Sequence, residues 1–346
     1  MATVVSVNVD TYLAHCDLVA NLTRQGVVNV SFHPAVLHSQ FGNAHCLGDV
    51  TRTVYTALFA ILTAGGLAGN AGVLSYILWH RMFKNFVSTH FIAHLLFTNV
   101  VCCAYLIPIY LRNLHSGRDA LGWTDYCRVH GFMFVCILTV IYYMITCIAG
   151  VHLITFARIH YDQLFGLSPR IICGVSWVIG AALGLPCLTN SSIVRYDPLA
   201  YQCVWSDNQS SYKFLAYMLL LGIMLPVWLT IYAYMRILAI FYHSPLVFEA
   251  LGLFRSRYLV FGFIINALLP TPFYIASALP LSMRITWDPA IIPMLAFLVF
   301  NIAIVSSALY GVSLYLMKED DIALTSAAHK AAVCLSPNVG GAGPDV

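Results

Sequence analysis

The chain has 346 residues, of which 60% are apolar and only 9% are Asp, Glu, Lys or Arg. A soluble domain is about 45–50% apolar and about 25% charged. The 17 basic and 14 acidic residues leave a net charge of +3 and form no run of like charge, which excludes a nucleic-acid-binding arm and an acidic tail. The hydrophobicity excludes a disordered chain, and the length excludes a small disulfide scaffold. What remains is an all-α membrane protein.

Residues 1–52 contain Asp10, Asp17 and Asn-rich stretches without an apolar core of signal-peptide type, so they read as an N-terminal segment with no cleaved leader. About 20 mostly apolar residues are needed to cross the hydrocarbon core. Seven segments qualify, at 53–79, 87–111, 129–156, 171–189, 214–241, 259–279 and 290–317. They make 53–317 a seven-helix bundle and leave 318–346 as a tail. No internal repeat of the transporter kind is present.

Basic residues in short loops set the orientation. Arg81 and Lys84 follow the first span, Arg158 and Arg170 the third, and Arg255 and Arg257 the fifth, with Arg236 at the foot of span five. In the alternate loops Arg118, Arg195 and Arg284 are balanced by Asp119, Asp197 and Asp288. The N-terminus is therefore expected outside and the tail in the cytoplasm. The glycosylation acceptors Asn21, Asn29, Asn190 and Asn208 then all fall on the outer side.

Every Asp and Glu lies outside the spans, which removes the buried carboxylates of proton pumps, ion-coupled transporters and intramembrane aspartyl proteases. His90 and His94 share a helical face, but a metalloenzyme needs a third ligand. Two histidines near a helix end more often bond locally. Ser306 and Ser307 sit in a span with no acid to complete a triad. The chain reads as a non-enzyme with no metal and no cofactor.

Landmarks inside the spans resemble those of the rhodopsin-like G protein-coupled receptors. Span one carries Gly69-Asn70-Ala71-Gly72-Val73, span four Trp177 with Pro186 nine residues on, span five Pro226 with Tyr234 eight residues on, and span six Ala267-Leu268-Leu269-Pro270. Cys127 opens span three, and Cys203 lies in the loop after span four. The resemblance implies a disulfide between them. The proline positions mark bends, because a proline frees a carbonyl that neighbours must satisfy in lipid. Asn70, a polar group in hydrocarbon, is expected to bond other helices, with Asn99 and Ser306 or Ser307 as candidates. A looser likeness to purinergic-like orphan receptors rests on Ser88-Thr89-His90, His94-Leu95, Asn99 and Cys127-Arg128-Val129. Cys16 and Cys46 leave a second outer bridge open, and Cys334 is a palmitoylation candidate.

The departures from the family bear on signalling. Asn99 stands where the family has a sodium-binding Asp, and Ile141 where it has a serine. At the foot of span three Val151-His152-Leu153 replaces Asp-Arg-Tyr, with Arg158 six residues beyond His152. These four are the residues expected to face a G protein. Span seven keeps only Tyr310 of Asn-Pro-x-x-Tyr, in Ser306-Ser307-Ala308-Leu309-Tyr310.

By the same resemblance the ligand pocket lies between the outer halves of the helices. Arg112, Arg128 and Lys213 would supply cations there, and His130, Phe134, Tyr217, Phe273 and Tyr274 the walls. Three cations over aromatic walls suit an anionic amphiphile. The chain is thus expected to be a plasma-membrane receptor for a small-molecule, lipid or peptide ligand. Its partners would be a heterotrimeric G protein and membrane lipid, with no nucleic acid. The alternatives are a non-signalling seven-helix scavenger, chaperone or dimerisation partner, and, behind it, a metalloenzyme using His90 and His94.

Overall fold

A computed structural model describes residues 49–84, 87–116, 126–157, 167–197, 202–206, 208–243, 256–278 and 294–315. Their helices are α1 (Asp49–Trp79), α2 (Ser88–Ser116), α3 (Tyr126–Phe156), α4 (Pro169–Thr189), α5 (Gln209–His243), a broken α6 (Ser256–Leu268 and Thr271–Ala278) and α7 (Met294–Tyr315). Six are long and apolar enough to cross a membrane, and α6 contributes the shorter apolar stretch Val260–Ile275. Together they form a seven-helix bundle. Between α4 and α5, β1 (Val194–Asp197) pairs antiparallel with β2 (Gln202–Trp205), Tyr196 opposite Cys203.

The helix ends differ from the hydropathy windows where polar chemistry extends a helix past the hydrocarbon. α5 begins at Gln209 rather than at 214 because Asn208 caps it, its Oδ1 accepting from the Ser211 N–H at 2.8 Å. α2 runs on to Ser116 rather than stopping at 111, which puts Arg112 on the helix.

Prolines shape three of the helices, two of them in the same way. α2 contains a π segment, Cys102–Leu106, two residues before Pro108, and α5 contains one, Met218–Met224, two residues before Pro226. In these segments the N–H of Ile107 reaches the Cys102 carbonyl and that of Leu225 reaches Leu220, five residues back. The wider register moves the backbone away from the proline ring, which would otherwise press on the carbonyl four residues before it. In that register Pro226 leaves the Leu221 carbonyl without a donor, and the Tyr143 hydroxyl of α3 donates to it at 3.2 Å. In α6 the helix opens at Leu269-Pro270 and restarts at Thr271, whose hydroxyl donates to the Ala267 carbonyl at 2.8 Å.

α3 is the axis of the bundle. In its most apolar window 67% of residues are buried, against 22% in α1 and 28% in α4. α4 approaches it through Gly180 and Gly184, four apart: a Cβ on Gly180 would lie 2.8 Å from the Cys136 carbonyl oxygen, and one on Gly184 3.0 Å from that of Phe132. This is small-residue packing of membrane helices, where dispersion between close backbones replaces a hydrophobic driving force. Large apolar side chains such as Ile61, Val178, Trp228 and Ile265 point outward, as a lipid-facing surface requires.

Candidate functional site

The disulfide organises one end of the bundle. Cys127 in the first turn of α3 is bonded to Cys203 of β2, with Cα atoms 5.5 Å apart. This clamps the hairpin across the helix ends. Below it lies a cavity of about 110 Å³, walled by Leu106 and Tyr110 of α2, His130 and Phe134 of α3, Tyr274 of α6 and Val299 of α7. The π segment supplies Cys102 to the same wall, and β2 supplies Gln202 as a roof. His130 and Phe134 are four apart and so share a face. The Nδ1 atom of His130 is buried and makes no hydrogen bond among the described residues. The ring centroids of Tyr126 and Tyr105 lie 6.3 and 6.4 Å from its own.

Of the residues that sequence reasoning assigned to the pocket, His130, Phe134 and Tyr274 line this cavity. Arg112, Arg128 and Lys213 do not. Arg112 and Lys213 are exposed, and Arg128 turns away to donate to the Leu188 carbonyl of α4. Tyr217 is 64% exposed on the outside of α5, and Phe273 is half-buried and does not line the cavity. Among the described residues no Arg, Lys, Asp or Glu lines it. A single sequence does not show which way a helix-end cation snorkels.

In the middle of the bundle Asn70 is fully buried. Its Oδ1 accepts from Asn99 Nδ2 at 3.0 Å, and its own Nδ2 donates to the carbonyls of Gly66 at 2.7 Å and Ala303 at 2.9 Å. The α7 partner is thus a main-chain carbonyl, not Ser306 or Ser307. Ser306 accepts from Asn266 Nδ2 of α6 at 2.7 Å, and Ser307 donates to the Ile304 carbonyl at 2.7 Å. Backbone carbonyls carry no signature in a sequence, so this substitution was not legible there.

The neighbouring landmarks also settle locally. Trp177 Nε1 donates to His94 Nε2, while the His90 ring stands 5.0 Å from that of Phe83. Among the described residues no third His, Cys, Asp or Glu joins these two histidines. The Pro186 carbonyl accepts from the Asn190 N–H at 3.0 Å and closes α4. The Pro226 carbonyl accepts from Thr146 and Thr230 hydroxyls, both at 2.9 Å, tying α5 to α3.

At the opposite end of α3, the residues expected to face a cytoplasmic partner are turned inward. Val151 is buried, His152 is only 8% exposed, and Leu153 is half-buried; Arg158 lies outside the described residues. His152 Nδ1 sits 3.5 Å from the Tyr234 hydroxyl, too long for more than a weak bond. Its ring lies 5.6 Å from that of Phe263. Phe263 stacks on Tyr234 at 5.7 Å and on Tyr310 at 5.1 Å, with interplanar angles of 19° and 21°. Rings from α5, α6 and α7 thus stack, and the His152 ring of α3 packs tilted against them.

Sequence reasoning missed Phe263, Asn266, Gly180, Gly184 and both π segments. The four-residue spacing of the two glycines was the one available signal. Of the glycosylation acceptors, Asn21 and Asn29 lie outside the described residues. Asn190 Oδ1 accepts from the Ser192 N–H at 3.0 Å and its hydroxyl at 2.7 Å, whereas Asn208 is held on both sides, as a helix cap and as a donor to the Ser192 carbonyl.

Residues 69–257 match the family model described as 7 transmembrane receptor (rhodopsin family). No curated protein matches the chain.

Proposed function

The chain belongs to the rhodopsin family of seven-transmembrane receptors, and from that premise we propose that it is a plasma-membrane receptor that transmits an outer binding event to a heterotrimeric G protein. In this reading the disulfide-clamped hairpin is the outer end, the N-terminus with Asn21 and Asn29 is extracellular, and the tail is cytoplasmic. The ligand occupies the cavity under the hairpin.

One observation carries the mechanism. α6 puts Tyr274 on the cavity wall and Asn266 and Phe263 against α7 and the ring stack, with the Leu269-Pro270 break between them. A break in the helix ladder is where α6 pivots at least cost, since the hydrogen bonds a kink would strain are already missing. A ligand that moves Tyr274 therefore acts on the Phe263–Tyr310 contact at the other end. That contact is part of a closed, uncharged stack, so the unliganded state is expected to engage its partner weakly. A buried imidazole also lacks the guanidinium fork that an arginine would present.

The test is G protein dissociation in cells expressing the full chain, for the parent and for the double change Val151→Asp with His152→Arg. The parent should signal near background and the double variant clearly above it. A parent that signals strongly, with a double variant that signals less, would overturn the weak-engagement reading. Silence of both across all G protein classes, at normal surface levels, would favour the non-signalling seven-helix protein.

A further inference from the structure

Resting on the reading of the hairpin-end cavity as the ligand site, we infer that its ligand is a small neutral molecule about the size of one ring, apolar apart from a single hydroxyl or carbonyl group that pairs with His130. Size comes first. The cavity measures about 110 Å³, well below the ~300–1,000 Å³ of sites that enclose drug-sized ligands. An apolar cavity of about 150 Å³ holds benzene. The occupant is therefore of fragment size.

Charge comes second. The walls given by Leu106, Phe134, Val299 and Phe300 are apolar, and among the described residues no charged side chain reaches the cavity. An ammonium or a carboxylate placed here would lose its hydration with no counter-ion to offset the loss. Arg112 and Lys213 are exposed, Arg128 donates to the Leu188 carbonyl, and none of the three lines the cavity.

Polarity comes third. A wholly apolar ligand would leave His130 Nδ1 buried without a partner, and an unsatisfied buried polar atom costs free energy that a hydrogen-bonded ligand recovers. Besides His130 of α3, the polar lining residues are Gln202 of the hairpin roof, next to Cys203 of the disulfide, and Tyr110 and Tyr274, which have interactions of their own. A hydroxyl satisfies Nδ1 in either tautomer, because it both donates and accepts. The ligand is thereby oriented with its polar group toward His130 and its apolar body against Phe134 and Val299.

The test uses four single-ring probes on the full-length chain in nanodiscs: toluene, benzyl alcohol, benzoate and benzylammonium. Thermal unfolding is recorded for the parent, for His130→Phe, for His130→Gln, and for Ala296→Phe, which fills the cavity and reports the effect of each probe on the lipid alone. Benzyl alcohol should raise the parent Tm saturably by about 2–4 °C relative to Ala296→Phe, with toluene less effective and the two ions without effect. In His130→Phe the two neutral probes should become equivalent, and the persistence of the toluene shift shows that this variant is folded. In His130→Gln part of the benzyl alcohol preference should return. The inference is overturned if benzoate or benzylammonium stabilises more than benzyl alcohol. It is also overturned if the alcohol keeps its advantage in His130→Phe, or if no probe exceeds the cavity-filled baseline. Binding is read here without signalling, so the two readings fail separately. Saturable benzyl alcohol binding in a chain that activates no G protein spares the ligand class and sinks the receptor reading. A G protein response evoked only by the ionic probes does the reverse.

Discussion

α3 carries one histidine near each end, and the two live in opposite surroundings. His130 borders a cavity and has a buried nitrogen with no partner among the described residues, while His152 packs tilted against Tyr234 and Phe263. Both stand on the helix that the other helices pack around. The difference teaches that the two ends of α3 are packed differently: at the hairpin end its histidine borders space, and at the opposite end its histidine is enclosed by rings from other helices. A cavity with an unpaired polar atom is a place where something else can bind. A ring packed between two others, as Phe263 is between Tyr234 and Tyr310, is a place where something must open.

The comparison breaks most completely if the clamp over the cavity is removed. Replacing Cys127 or Cys203 with Ser opens a bond spanning 76 residues, and a loop of that length contributes about 4 kcal/mol. Surface expression should fall sharply in both variants. Intact expression of both, with Cys127 and Cys203 themselves alkylated in the unreduced parent, would show that the hairpin end does not depend on the bridge.

The opposite end is tested next. His152→Ala removes the ring packed against the stack and should destabilise the chain by about 2–3 kcal/mol, while His152→Phe, which keeps a ring, should cost less than about 1.5 kcal/mol. Thermal unfolding separates them; equal losses would mean that the stack is not what holds this end. Gly180→Ala then probes the axis common to both ends. The new methyl would meet the Cys136 carbonyl at 2.8 Å, and overpacking of this kind costs about 1–3 kcal/mol. Since backbone must move, probe binding at one end and signalling at the other should both suffer.

A smaller change of opposite sign is expected at the hairpin end. His130→Phe removes a buried nitrogen without a partner and should raise the unliganded Tm by a degree or more, since such an atom costs about 1–3 kcal/mol. A lower Tm would mean that His130 is satisfied within the protein. The smallest effect concerns sodium. Asn99 is committed to Asn70 and brings no negative charge, so desolvation of the ion is not offset. Millimolar sodium and potassium should leave the Tm alike, and a sodium-specific rise would refute this.

Much of the fold was readable before any coordinates. The thickness of the hydrocarbon core imposes a local length of about 20 apolar residues on each crossing, so hydropathy alone located all seven segments. Asn70 and Asn99 could be matched because polar side chains are scarce in these spans and hydrocarbon offers them few partners. The candidate site was readable only in part. His130, Phe134 and Tyr274 follow from their place near the helix ends, yet nothing in their spacing separates them from Arg112, Lys213 or Tyr217.

What the sequence by itself determined, then, is the number, order and approximate limits of the membrane helices, since each depends on a contiguous stretch of residues meeting a solvent of known thickness. Only the tertiary structure decided which faces look inward. Helices that are apolar on nearly every side give no periodicity to separate a lipid-facing face from a packed one. The inward turn of His152, the outward cations, the Ala303 carbonyl that serves Asn70 and the glycine contact of α4 with α3 were therefore set by neighbours distant in sequence. The π registers before Pro108 and Pro226 belong to the same class. A proline announces that a bond will be missing, but how the freed carbonyl is satisfied depends on the side chain that the next helix brings to it.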